Sequence, residues 1–145
     1  MYTPPAMATT SLDRATLREL TIRFTDAFNR DDLDGVLAMM AEDSVYEEFT
    51  GTVSRGKAAI RAAFEPQFRG DFGKIRFETE DLFVDETAAR ALIRWVCRLE
   101  TRRGPAAWRG LDILHFDNGL VSRKLTYAKA KVPLLGETPH DGGKA

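Results

Sequence analysis

Apolar residues in the first part of the chain recur at helical intervals. Between Asp13 and Asn29 they fall three or four positions apart, which predicts a helix with one buried stripe. A start signal at Asp31 opens a second, shorter helix. A third helix opens at Gly56, and Pro66 is expected to end it or to disturb its last turn.

The rest of the chain has the alternation of extended structure. A short strand, SVYEEF, follows the second helix. Beyond Gly73 four longer strands are predicted, with turn signals between them: IRFETEDLFV, ARALIRWVCRLE, AAWRGLDILHF and LVSRKLTYAKAKV. Their short connections favour an antiparallel meander. Helices followed by such a sheet predict an α+β fold with the helices on one face of the sheet.

The second long strand has one apolar face and one mixed face. Its apolar positions, expected to lie under the helices, are Ala91, Ile93, Trp95, Cys97 and Leu99. The residues between them are expected on the outer face: Arg90, Leu92, Arg94, Val96 and Arg98. This alternation predicts that the Arg94 side chain points away from the helices and from any pocket beneath them.

The length of 145 residues suits one domain. Residues 1–11, which include two adjacent prolines, are expected to form a flexible arm, and residues 134–145 a mobile tail. A single domain is therefore predicted for residues 12–133.

Composition narrows the possible partners. The chain has 21 Lys and Arg against 22 Asp and Glu, so its net charge is close to zero. It therefore has no overall electrostatic field that would attract nucleic acid or an anionic membrane surface. One cysteine and two histidines supply neither an internal disulfide nor a zinc site, and no phosphate or dinucleotide loop appears. We expect no metal and no cofactor. Since no signal peptide or long apolar run is evident, a cytoplasmic protein is expected.

Three acidic residues are candidates for chemistry. Asp112 lies within the apolar strand segment GLDILHF, so its carboxyl must be protonated, hydrogen-bonded or facing a polar cavity. A basic neighbour such as Lys124 is one way to satisfy it, which leaves a structural role open. Glu47 and Glu48 are adjacent on a strand and point to opposite faces, so only one of them can enter a pocket.

The order of these elements resembles the nuclear transport factor 2 superfamily, in particular its SnoaL-like and ketosteroid isomerase-like branch. The likeness spans residues 12–132 and is carried by FTDAFNRDDLDGVLAMMAEDSVYEEFTG, RGKAAIRAAF and WRGLDILHFDNGL. It implies a cone in which a barrel-like, curved antiparallel sheet wraps around three N-terminal helices, a cystatin-like α+β roll. A blind pocket is then expected at the open end of the cone.

A curved sheet with an apolar inner face and few helices leaves space for a small, mostly apolar molecule. The side chains expected to line or fill this pocket are Phe24, Phe28, Met40, Tyr46, Phe77, Trp95, Trp108, Phe116, Lys124 and Thr126. Cys97 is expected on the same face as an inert filler. His115 is expected on the opposite face from Asp112.

The resemblance also implies roles for the acids. It places Glu48 at the position of the catalytic base and Asp112 at that of a proton-donating aspartate. Phe24 stands where the isomerases carry a tyrosine hydroxyl, and losing one oxyanion donor typically costs about 10²–10³ in rate. Tyr46, on the same strand face as Glu48, is a better substitute donor than Tyr127.

Two functions follow from this resemblance. The first is an acid-base enzyme of isomerase, cyclase or hydrolase/dehydratase type, acting on a small, largely apolar compound with a carbonyl or hydroxyl group. The alternative is a non-catalytic ligand-binding or dimerisation module of the same fold. In either case we expect a homodimer through the outer sheet face, with Arg94 and Arg98 at its periphery and this apolar centre: Leu111, Ile113, Leu125 and Tyr127.

Overall fold

The computed structural model describes residues 12–129, so the predicted arm and tail lie outside the described residues. The helices are α1 (Arg14–Asn29), α2 (Leu33–Ala38) and α3 (Lys57–Phe68). The strands are β1 (Met40–Glu47), β2 (Val53–Arg55), β3 (Lys74–Asp85), β4 (Arg90–Thr101), β5 (Gly104–Asp117) and β6 (Leu120–Lys129). No helix in this part of the chain has the length and hydrophobicity that crossing a lipid bilayer requires.

The first two helices begin at aspartate caps close to their predicted starts: Asp13 caps α1, and Asp32, one residue after the predicted signal at Asp31, caps α2. The Asp13 carboxylate accepts a hydrogen bond from the backbone N–H of Thr16 at 2.8 Å, which satisfies one of the free donors at the start of α1. Asp32 caps α2 in the same way through the backbone N–H of Gly35, at 2.9 Å. Pro66 lies within the last turn of α3, which continues for two further residues to Phe68.

The predicted meander of β3 to β6 is confirmed, and two features at the start of the sheet differ from the prediction. The strand order is β2-β1-β6-β5-β4-β3, and β1 pairs with β6 in parallel whereas every other pair is antiparallel. A parallel pair needs a long crossover, which α3 and the meander provide. The short edge strand β2 was not predicted, because three residues carry too little alternation.

The sheet is curved and does not close. Pairing shifts occur in β3 between Thr79 and Asp81 and in the β5–β6 pair between His115 and Phe116. Such bulges bend a strand and increase its twist. The edge strands β2 and β3 are not paired with each other, so the sheet wraps the helices as an open cone.

The predicted faces of β4 are confirmed, and its apolar face contributes to two groups of buried residues. We call the first the closed-end core, where all three helices pack on the sheet; its larger members are Leu17, Phe24, Phe28, Val36, Met40, Ile60, Phe64, Leu114, Phe116 and Val121. The second group follows β4 toward its far end: Ile93, Trp95, Cys97 and Leu99. The α+β class is therefore as predicted.

Candidate functional site

A cavity of about 380 Å³ lies next to the closed-end core, with which it shares Phe64, and extends toward the far end of β4. It lies between α3, the end of β1 and the inner face of β3 to β6. Its walls are mostly aromatic and aliphatic, as is usual for small-molecule sites. The lining residues are Tyr46, Glu48, Phe49, Thr50, Ala63, Phe64, Gln67, Phe72, Ile75, Phe77, Trp95, Cys97, Leu99, Trp108, Lys124 and Thr126.

Six of the ten side chains expected in the pocket line it: Tyr46, Phe77, Trp95, Trp108, Lys124 and Thr126. The other four, Phe24, Phe28, Met40 and Phe116, lie instead in the closed-end core. Phe24 packs edge-on against Phe28, with ring centroids 5.3 Å apart. The error has a physical cause, since alternation assigns a residue to a face of the sheet but not to the end that the helices fill.

Sequence reasoning missed the aromatic residues at the mouth. Phe49 lies in the loop after β1, and its ring centroid is 6.2 Å from that of Trp108. Phe72 lies in the loop between α3 and β3. Loop residues have no periodicity that marks an inner face, but a bulky apolar residue within two positions of a glycine, as in FTG and DFG, is a usable signal.

Asp112 is the centre of a buried polar cluster in the cavity wall. Its carboxylate accepts hydrogen bonds from Trp95 Nε1 at 3.1 Å, Lys124 Nζ at 3.0 Å and Thr126 Oγ1 at 2.5 Å. Lys124 Nζ also donates to Thr126 Oγ1 at 2.8 Å. These donors compensate the cost of burying a charged group among apolar side chains.

Lys124 is the cation of this cluster and lines the cavity directly. Its side chain is almost wholly buried. Its Nζ atom lies 4.8 Å from the ring centroid of Tyr46, 5.4 Å from that of Phe28 and 5.9 Å from that of Phe64. Aromatic faces stabilise a desolvated ammonium. An ammonium has three N–H donors and Asp112 and Thr126 take two, so one remains for the aromatic faces or for a ligand oxygen.

Gly110 makes room for the Trp95 ring. The two residues face each other across β4 and β5. A Cβ atom at Gly110 would overlap the six-membered ring of Trp95 and press on the backbone carbonyl of Tyr127. The absence of a side chain lets the indole lie over the sheet, where its Nε1 atom reaches Asp112. A glycine opposite a tryptophan on the neighbouring strand indicates space for the indole ring, and sequence reasoning missed this signal.

The family resemblance implies a proton-donating role for Asp112, and the structure places this residue just outside the cavity lining. The carboxylate lies behind Trp95, Lys124 and Thr126 and is not itself part of the cavity wall. It accepts hydrogen bonds from three donors, which fix its orientation. Through this contact Asp112 holds Lys124 in place at the cavity wall.

Glu48 lies on the cavity wall just after β1. Its backbone is fixed by the tight turn that leads to β2, since its N–H donates to the carbonyl of Thr52 and its carbonyl accepts from Gly51, both at 2.8 Å. Among residues 12–129, no side chain donates a hydrogen bond to the Glu48 carboxylate. Partial burial raises the pKa of Glu48, and the positive charge of Lys124 opposes this shift only in part.

The hydroxyl of Tyr46 stays protonated. Burial first, and then the negative charges of Asp112 and Glu48, raise the pKa of Tyr46 far above its ordinary value, while its interaction with Thr126 lowers it. Tyr46 is half-buried on the cavity wall beside Lys124. It is therefore available as a neutral hydrogen-bond donor.

The remaining candidates lie outside the polar cluster. Arg94 is on the outer face, with its Nε atom 3.8 Å from the Glu80 carboxylate. His115 alternates with Asp112 on β5, and burial followed by the charges of Arg90 and Arg123 lowers its pKa. Cys97 does line the cavity, and burial followed by the charge of Asp112 raises the pKa of its thiol to about 11.

Within residues 12–129, no three His, Cys, Asp or Glu side chains come together as metal ligands. The chemistry available in the cavity is therefore that of one carboxylate with a raised pKa, one ammonium and one neutral phenol, set in an apolar wall. A carboxylate that loses solvation becomes a better base, and an adjacent ammonium stabilises negative charge that develops on a ligand.

Comparison with known proteins identifies relatives of the same shape. The SnoaL-like domain family matches residues 21–124. A "putative polyketide cyclase" from Xanthomonas campestris pv. campestris superposes with a TM-score of 0.70 at 22% identity, covering 80% of this chain and 92% of that one.

Two further solved structures are similar. AusH from Aspergillus nidulans has a TM-score of 0.72 at 17% identity, covering 83% of this chain and 88% of that one. A protein of unknown function with a cystatin-like fold, from Methylobium petroleophilum PM1, has a TM-score of 0.70 at 19% identity and covers 85% and 82%. At these identities the likeness establishes the fold. A search of curated proteins finds no match.

Proposed function

This chain belongs to the SnoaL-like domain family, and we propose that its cavity binds a small, largely apolar compound with a carbonyl or hydroxyl group and that Glu48 moves a proton on it. The observation that carries the proposal is the pairing of a carboxylate of raised pKa with an anchored ammonium in one apolar cavity. The name of the Xanthomonas relative, a cyclase, supports chemistry on a small molecule.

Glu48 is the proposed base. It takes a proton from the carbon next to the ligand carbonyl, and the electron pair of that C–H bond moves onto the carbonyl oxygen to form an enolate. A raised pKa brings the carboxylate closer to the operating pH, which is where general bases work best. The same carboxyl then returns the proton to the ligand, so no oxidant or cofactor is consumed.

Lys124 is the proposed stabiliser of the negative charge on the ligand oxygen. Its two hydrogen bonds to Asp112 and Thr126 fix the ammonium before the ligand arrives, so little reorganisation is needed as charge develops. Asp112 acts as a positioning residue in this scheme. In the isomerases a tyrosine hydroxyl supplies the hydrogen bond to the ligand oxygen. Phe24 stands at that position, has no hydroxyl and is buried in the closed-end core, so Lys124 is the proposed donor instead.

Exchange of carbon-bound hydrogen tests the proposal without knowledge of the natural substrate. The wild-type protein is incubated in D₂O with an enolisable aryl ketone such as 2-tetralone, and loss of the α-proton signal is followed by NMR. We expect Glu48→Gln to slow the catalysed exchange by about 10²–10⁴-fold. Glu47→Gln, the neighbouring residue outside the cavity wall, is the matched control and is expected to retain the wild-type rate.

Exchange no faster with the wild-type protein than in buffer would overturn the proposed base, as would equal exchange by wild type and Glu48→Gln. The first of these results, together with binding of the ketone in the cavity, would favour the non-catalytic ligand-binding module. One observation favours that alternative: Phe24, which stands where the isomerases carry a tyrosine hydroxyl, has no hydroxyl and lies in the closed-end core.

The outer face of the sheet supports the further proposal that two copies of the chain associate. Leu111, Ile113 and Leu125 are only half-buried on this face, and Tyr127 is 51% exposed. A second copy would cover this apolar surface. Sedimentation of the wild-type protein as a dimer, and of Tyr127→Glu as a monomer, is the expected result. A monomeric wild-type protein at micromolar concentration would contradict it.

A further inference from the structure

Gln67 is an uncharged polar residue on the α3 side of the cavity wall. It lines the cavity together with Ala63 and Phe64, which precede it by one turn on the same face of the helix. Its backbone is fixed, because its carbonyl accepts a hydrogen bond from the N–H of Gly70 at 3.1 Å. The side chain therefore extends from an anchored position on the helix.

The amide of Gln67 has no protein partner within residues 12–129, since none of the side-chain hydrogen bonds between these residues involves it. Because Gln67 is only half-buried, water can hydrogen-bond to the amide when no ligand is bound. A ligand that fills the cavity excludes this water, and it loses affinity unless it replaces the lost hydrogen bonds.

Gln67 lies one helical turn beyond the polar cluster. Phe64 is the residue of α3 nearest to that cluster along the cavity wall, since its ring centroid is 4.6 Å from that of Tyr46 and 5.9 Å from Lys124 Nζ. Three further residues of helix correspond to about 4.5 Å. They lead from the buried Phe64 toward the exposed Phe72. A ligand oxygen that meets Lys124 therefore leaves Gln67 to a second polar group, nearer the mouth of the cavity.

The chemistry of the amide favours a hydroxyl as this second group. The amide is uncharged, and it has an acceptor in Oε1 and two donor hydrogens on Nε2. A hydroxyl both donates and accepts, so it can pair with either atom, whereas a carbonyl or an ether oxygen only accepts. A charged group would lose far more hydration on entering an apolar wall, and a neutral amide would not offset its charge.

We propose that Gln67 determines specificity by hydrogen-bonding a hydroxyl group of the ligand, distinct from the oxygen that Lys124 binds. The ligand is then a small, largely apolar compound with a carbonyl toward the polar cluster and a hydroxyl toward the mouth. The inference rests on the proposed function for uptake of the ligand and for the position of its carbonyl at Lys124. It does not depend on proton transfer by Glu48.

Isothermal titration calorimetry with 2-tetralone, and with its isomers that carry one hydroxyl on the aromatic ring, tests this inference. Gln67→Met removes the amide but keeps the length and the helix propensity of the side chain. For the hydroxylated isomer that wild type binds most tightly, the ratio of its affinity to that of 2-tetralone is expected to fall about 3–10-fold in Gln67→Met. The affinity for 2-tetralone itself should not fall, because this ligand leaves the amide unpaired.

Glu65→Met is the matched control, because Glu65 lies on α3, is exposed and does not line the cavity. It is expected to keep the wild-type ratio. An unchanged ratio for every isomer in Gln67→Met, or an equal fall in Glu65→Met, would overturn the role of Gln67 and leave the proposed function in place. Failure of all these ketones to bind the wild-type protein would overturn ligand uptake, and with it the proposed function.

Discussion

The two ends of the cone are built on the same strands and differ in what covers them. At the closed end, Leu114 and Val121 are fully buried beneath the helices. At the open end, beyond Asp112 on β5, the inner face of the sheet borders a cavity of about 380 Å³. The inner face is apolar at both ends, so the helices, and not the strands, decide where the space lies.

Polar groups mark the boundary between these ends. Asp112 and Lys124 are buried there, and each has its partners within the cluster. Ionised side chains in an apolar interior persist only when they are paired and hydrogen-bonded. The closed end therefore supplies stability through packing, whereas the open end carries charged groups that are held in place before a ligand binds.

The largest expected effect comes from breaking the buried ion pair. Lys124→Met leaves the Asp112 carboxylate buried without its cation and is expected to cost about 3–5 kcal/mol in the free energy of unfolding. The double variant Asp112→Leu with Lys124→Met removes both charges and is expected to recover most of that loss. Urea denaturation measures both. A single variant no less stable than the double variant would show that the pair is not effectively buried.

Truncating a leucine at each end sharpens the contrast. Leu114→Ala is expected to cost about 3 kcal/mol, because the packed core cannot close around the space left behind. Leu99→Ala, at the cavity wall, is expected to cost less, because that side chain already borders a void. In ligand titrations only Leu99→Ala is expected to change affinity. Equal stability losses, or an altered affinity in Leu114→Ala, would contradict the division into two ends.

A smaller effect is expected where the sheet accommodates the indole. Gly110→Ala forces the Trp95 ring away from the sheet and is expected to cost about 1–3 kcal/mol through overpacking. The hydrogen bond from Trp95 to Asp112 should be lost, and the near-UV circular dichroism of the tryptophans should change. An unchanged spectrum would mean that the ring does not occupy the space above Gly110.

The smallest effect concerns Glu48 and depends on pH. Burial raises the pKa of this carboxyl in the folded state, so the folded protein binds its proton more tightly than the unfolded chain does. Wild-type stability therefore falls as pH rises through the interval between the unfolded and folded pKa values. Glu48→Gln has no carboxyl at this position, so its stability does not fall in this pH interval. It should be more stable than wild type above the interval, and the two proteins should be equally stable below it. Melting temperatures across pH measure this difference, and a gain confined to low pH would contradict the raised pKa.

Much of the fold was predictable because its signals are local. The apolar stripe from Leu17 to Phe28 predicts α1, and alternation predicts both faces of β4. The parallel pairing of β1 with β6 was not predictable in this way, because it depends on where a long crossover returns. Side chains alternate between the two faces along β5 and β6, and this alternation places Asp112 and Lys124 on the same face, as expected.

The site was less predictable than the fold. Phe116 and Trp108 share the inner face of β5, yet one lies in the closed-end core and the other at the cavity. Only the extent of the helices separates them, and this is a property of the assembled fold. The surroundings of Asp112 were hard to predict for a similar reason, since the three hydrogen-bond donors around its carboxylate come from β4 and β6.

The most direct test of the central claim is a titration of the ¹⁵N-labelled protein with 2-naphthol, followed by NMR. The chain has two tryptophans, and both line the cavity. We expect both indole resonances to shift with one saturable binding curve, while the backbone amide resonances of Leu114 and Val121 in the closed-end core do not shift. Shifts centred on those amides, or unmoved indole resonances at saturating 2-naphthol, would contradict this claim.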